Sequence, residues 1–90
     1  MVMARFDSMG SEFADMASLG SAEALFELGL MYATGRNGEP DVVTAHKWFN
    51  IAAFRGCEAA KSRREELAAE MSRDQIAAAQ RAAREWLTTH

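Results

Sequence analysis

One short segment punctuates this chain. Gly35, Arg36, Asn37, Gly38, Glu39 and Pro40 form the one dense cluster of turn-forming residues, and Pro40 is the sole proline. Proline removes a backbone donor and glycine admits left-handed backbone, so the cluster marks a firm break. On both sides of it the apolar spacing is helical. Phe6, Met9, Phe13 and Met16 follow one another at intervals of 3, 4 and 3, and Val42, Ala45, Phe49 and Ala52 repeat those intervals. No stretch alternates with period 2 in strand-like composition, which argues against a sheet. The expected class is all-α.

Five helices are predicted, over 5–18, 21–34, 40–55, 57–71 and 73–88. Gly20 and Gly56 each follow a helical stripe and suit a left-handed C-cap. Ser21 and Ser72 stand where a side-chain oxygen can accept from first-turn amides. Ser72 also has Gln75 three residues on, which completes a capping box. Pro40 is expected in the first turn of the third helix, where its missing N–H costs nothing.

The 90 residues are enough for one small domain, and 49% apolar with 26% charged residues is a globular composition. No run of 18 apolar residues exists to span a membrane, and Met1–Asp7 lacks the pattern of a secretory leader, so a cytoplasmic location is expected. Cys57 is the only cysteine and His46 and His90 the only histidines. That inventory offers no disulfide and no zinc or iron-sulfur framework, and no cofactor is expected.

Catalytic groups are equally scarce. Cys57 and His46 stand eleven residues apart with no Asn or Asp placed to orient the imidazole, and they read as a small buried thiol and a surface histidine. Glu65, Glu66 and Glu70 interleave with Arg63 and Arg64 as a solvated helix face does. The glycines at 35 and 38 lack the Gly-Lys-Ser/Thr of a phosphate loop. The chain is expected not to be an enzyme.

Charge divides by halves. Residues 1–45 carry two arginines against seven acids, whereas residues 46–90 carry eight basic groups against six acids. The net charge of −3 disfavours nucleic acid as a main partner. The alternative function is nonetheless a regulatory protein touching nucleic acid through its basic C-terminal half, by way of Lys61, Arg63, Arg64, Arg73, Arg81 and Arg84.

Sliding the sequence against itself by 36 residues places Phe13 on Phe49, Ala17 on Ala53, Gly20 on Gly56 and Ala24 on Ala60. A helix-pair period of this length is the mark of an α-solenoid, whose units stack because none buries its own apolar face alone. Ala24, Leu28, Gly29, Tyr32, Gly35, Asp41, Ala45, Trp48, Ala52, Ala53, Gly56 and Ala60 stand in the order and spacing of a known pattern. On these twelve positions the chain resembles the Sel-one-like repeat family, a relative of the tetratricopeptide repeat.

The resemblance implies a short α-solenoid of antiparallel helix pairs in a single domain, 1–90: a partial repeat over 7–20, a complete one over 21–56 and C-terminal capping helices over 57–90. Where the family has a second glycine and a core-plugging valine after Gly35, this chain has Asn37 and Gly38. Arg64, Glu65 and Ala68 stand at the Leu, Gly and Tyr positions of the following unit, which suits a polar cap. Its stripe of Cys57, Ala60, Leu67 and Met71 is expected to meet Ile76, Ala79, Ala83 and Trp86 or Leu87 of the last helix. Proteins of this resemblance act as adaptors that hold partner proteins on a concave surface of successive first helices.

The segment from Ala24 to Ala33 is apolar nearly all round and holds a single charge, Glu27. With Leu28, Gly29 and Tyr32 assigned to the scaffold, Phe26 and Leu30 are left, four residues apart, with Glu23 and Glu27 beside them. These four are the candidate partner-binding residues, for a separate protein or for a second copy in a homodimer.

Overall fold

The computed structural model describes residues 21–36 and 38–89. Among them are four helices and no strand: α1 (Ala22–Thr34), α2 (Val42–Phe54), α3 (Glu58–Ala68) and α4 (Arg73–Thr89). The all-α expectation holds for this part of the chain. The helix expected over 5–18, the partial repeat over 7–20 and the Gly20 cap lie outside the described residues.

The helix ends follow local chemistry. Ser21 caps α1, its Oγ accepting from the Ala24 amide at 3.2 Å. Gly35 closes α1 in the left-handed region, with φ of 75°, and its amide donates to the Met31 carbonyl. A Cβ on Gly35 would also meet Pro40 and the Gly38 carbonyl, so the turn requires glycine on two counts. The third predicted helix begins two residues late. Asp41, not a residue before it, is the N-cap of α2, accepting from the Thr44 amide at 3.0 Å and the Thr44 hydroxyl at 2.7 Å. Pro40 therefore stands ahead of the cap and outside the helix. Gly56, with φ of 103°, turns the chain out of α2.

Helix α3 ends at Ala68, three residues short of expectation. A turn over 69–71 leads into Ser72 and Gln75, which form the predicted capping box: the Ser72 amide donates to Gln75 Oε1 at 2.9 Å, and the Gln75 amide donates to Ser72 Oγ at 3.1 Å. A capped start for α4 and a continuous α3 compete for the same backbone, and the reciprocal cap wins.

Helix α2 is the centre of the fold. Each of the other three helices makes its extensive contact with α2. Its buried residues are Ala45, His46, Trp48, Phe49, Ile51 and Ala52, which occupy most of its circumference. The sector bearing Val43, Lys47 and Phe54 is left outward, and Phe54 is 75% exposed. From α1 come Leu25, Leu28 and Gly29, from α3 Ala60, and from α4 Ala79 and Ala83. Small residues at each crossing let the axes approach, and the aromatic rings of α2 fill the space between.

The expected pairing of α3 with α4 is corrected by this arrangement. Helix α4 packs on α2 instead, because Ala79 and Ala83 give it a flat seam and Trp86 meets Trp48 edge to face at 5.5 Å between centroids. Both Trp86 and Leu87 pack against the core cluster, so the two alternatives for that position are both used. Helix α3 has only Ala60 fully buried and presents Glu58, Lys61, Arg63, Glu65 and Glu66 to solvent.

Candidate functional site

Helix α1 positions the four residues singled out for partner binding. Its buried edge, Leu25, Leu28 and Gly29, faces α2, and the rest of its circumference turns progressively to solvent. Phe26 borders that edge. Its ring lies tilted against Phe49, with centroids 5.8 Å apart and planes at 41°. Leu30, one turn on, also touches the core cluster, and both side chains are half-buried. Neither is wholly exposed, since each packs against the core cluster.

Glu23 and Glu27 are exposed on the adjoining face. The Ser21 hydroxyl donates to Glu23 Oε1 at 3.2 Å, and Arg36 pairs with Glu27 at 3.8 Å with both side chains more than half exposed. Such contacts are screened and replaceable, so both carboxylates are available to a cationic group.

Beside this patch runs a groove of about 170 Å³ between α1 and α3, lined by Ala33, Phe49, Arg63, Glu66, Leu67 and Glu70. Phe49 is common to both features: Phe26 rests on it, and the groove has it in its wall. The lining charges are one cation against two acids, and Glu23 and Glu27 extend the acidic character along α1.

The twelve motif residues fall into structural roles wherever they are described. Leu28, Gly29, Ala45, Trp48, Ala52 and Ala60 are buried, Asp41 caps α2, and Gly35 and Gly56 hold positive φ. Ala24, Tyr32 and Ala53 are half-buried, and the Tyr32 carbonyl accepts from the Asp41 amide at 2.9 Å, which ties the end of α1 to the start of α2.

Three features were not read from sequence. His46 is not a surface imidazole: it is 3% exposed, and its Nδ1 has no hydrogen-bond partner. Burial holds its pKa below the usual histidine range, the nearby Arg64 charge pushes the same way, and a backbone hydrogen bond opposes them in part. A helical wheel through Val42 and Phe49 would have placed residue 46 on the border of the buried stripe. The same wheel puts Phe54 opposite that stripe. Third, cations lie over both tryptophans, Lys47 at 4.3 Å from the Trp48 centroid and Arg55 at 5.2 Å from that of Trp86. Burial lowers the Lys47 pKa, partly offset by Glu85.

Cys57 is half-buried at the start of α3 and makes no side-chain cap. No helix among the described residues is long and apolar enough to cross a membrane. No protein-family model, curated protein or solved structure matches the chain.

Proposed function

We propose that this protein is a non-catalytic interaction module of the Sel-one-like kind, in which α1 and α2 form the complete helix pair and α1 with α3 supplies the partner-binding side. The observation that carries the reading is the placement of Phe26 and Leu30: both half-buried on α1 against the core cluster, Phe26 propped on Phe49, beside an acidic groove between α1 and α3. Side chains held rigid from below and free above bind at low entropic cost. The partner inserts apolar side chains against Phe26 and Leu30 and sets basic groups against Glu23 and Glu27. A second copy of the chain is one such partner.

The test replaces Phe26 with Ser and Leu30 with Lys together. Wild-type protein retains a partner on an affinity matrix, and the double variant, folded by circular dichroism, does not. Light scattering over a dilution series tells a homodimer from a separate partner. Retention of the same partner by the folded double variant contradicts the assignment.

A further inference from the structure

Helices α2, α3 and α4 enclose a second cleft, of about 340 Å³, lined by His46, Asn50, Arg64, Glu65, Ala68, Ile76 and Gln80. None of these residues belongs to α1. Its volume is at the small end of ligand-binding pockets.

The chemistry of its walls is asymmetric. Arg64 is partly buried, and its Nη1 donates to Asn50 Oδ1 at 2.7 Å, a short contact that fixes the guanidinium against α2. This bond spends one of the five guanidinium N–H groups. Among the described residues no carboxylate pairs with Arg64, although Glu65 lines the same cleft. Glu65 thus adds a negative charge to the cleft wall without forming an ion pair with the guanidinium. Because Asn50 uses its oxygen on Arg64, its amide NH₂ is left as a further donor, and Gln80 of α4 supplies another amide on the facing wall. Ala68 and Ile76 give the cleft an apolar part. His46, also in the lining, is buried and its Nδ1 lacks a partner.

A partly buried guanidinium anchored by a neutral amide is a planar fork that matches a carboxylate. Glu65 disfavours a doubly charged anion, which would meet its negative charge, and so the cleft selects carboxylate over phosphate. We infer that this cleft binds a single carboxylate group, that of one acidic residue or a small organic acid, with Arg64 as its charged anchor and Asn50 and Gln80 as flanking donors.

The experiment follows the side-chain NMR signals of Arg64, Asn50 and Gln80 in the full chain during titration with four probes. N-acetyl-glutamate methylamide represents an acidic residue, glutarate a free organic acid, N-acetyl-glutamine methylamide their neutral isostere, and inorganic phosphate the competing anion. The expected result is saturable shifts with one or both carboxylates, the stronger of the two naming the source. The glutamine probe binds at least about 10-fold more weakly, the factor a charge-assisted hydrogen bond supplies. Arg64→Gln, which keeps an amide donor for Asn50, loses the response at unchanged melting temperature, and Arg64→Lys, which keeps the charge without the fork, retains a weakened one. Equal response to the neutral probe, tighter binding of phosphate, persistence of the shifts in folded Arg64→Gln, or no shift with either carboxylate overturns the inference.

Discussion

Gly29 of α1 lies flat against the ring of Phe49 in α2, so close that a Cβ on residue 29 would overlap the ring carbons Cδ1 and Cε1. Phe49 is 2% exposed, and the same ring supports Phe26. This one contact sets the distance between the two helices and the attitude of the proposed binding face.

Gly29→Ala is therefore expected to destabilise the fold even though alanine is the better helix former by about 1 kcal/mol. Overpacking costs about 1–3 kcal/mol and outweighs that gain. Urea unfolding checks the sign: a lower midpoint at unchanged slope is the expected outcome.

That contact was half legible in the sequence. Gly29 and Phe49 could be marked as the small and large halves of a helix crossing, since glycine inside an apolar helix has a packing reason. The caps at Ser21 and at Ser72 with Gln75 were legible for the same cause, because each is decided within four residues. What could not be read was which helix α4 chooses. Its stripe of Ala79, Ala83 and Trp86 suits any smooth apolar surface, and only the position of Trp48 in space decides for α2 over α3. His46 reads as a surface residue because a polar residue bordering a buried stripe is normally turned outward. Here two further helices pack on α2 and cover the side that carries His46.

Trp86→Ala removes the edge-to-face contact with Trp48 and frees Arg55 from its ring. Trp86 is half-buried, so the expected loss is about 2 kcal/mol, below the 3–5 kcal/mol of full core truncation. The near-ultraviolet circular dichroism of the tryptophan pair should collapse while helical content is largely kept.

Gln75→Ala breaks one arm of the capping box and Ser72→Ala the other. Each is expected to cost about 1 kcal/mol, and the double variant less than the sum, since the two arms act as one unit. Thermal melts of the three variants supply the double-mutant cycle.

Stability should fall in mildly acid solution because of His46. Its folded-state pKa is lowered from the ordinary value of 6.5, first by burial and then by Arg64. Above 6.5 both folded and unfolded forms are neutral at this site and it contributes no pH dependence. Below 6.5 the unfolded chain takes up a proton that the folded chain refuses, so stability drops until the folded pKa is reached. The slope is bounded at about 1.4 kcal/mol per pH unit. Urea midpoints for wild type and His46→Gln between pH 7.5 and roughly pH 5 isolate the term: the wild-type curve falls away from that of the variant below neutrality. Parallel curves would contradict the burial of this imidazole.

The most direct measurement concerns the two exposed acids of α1. Glu23→Lys with Glu27→Lys reverses the charge beside Phe26 and Leu30 and touches no core residue, so the melting temperature should change little. Binding of the partner retained by wild-type protein is expected to weaken by at least about 10-fold, with the loss shrinking as salt screens the face. Undiminished binding at low salt by the folded double variant would contradict a partner seated on this face of α1.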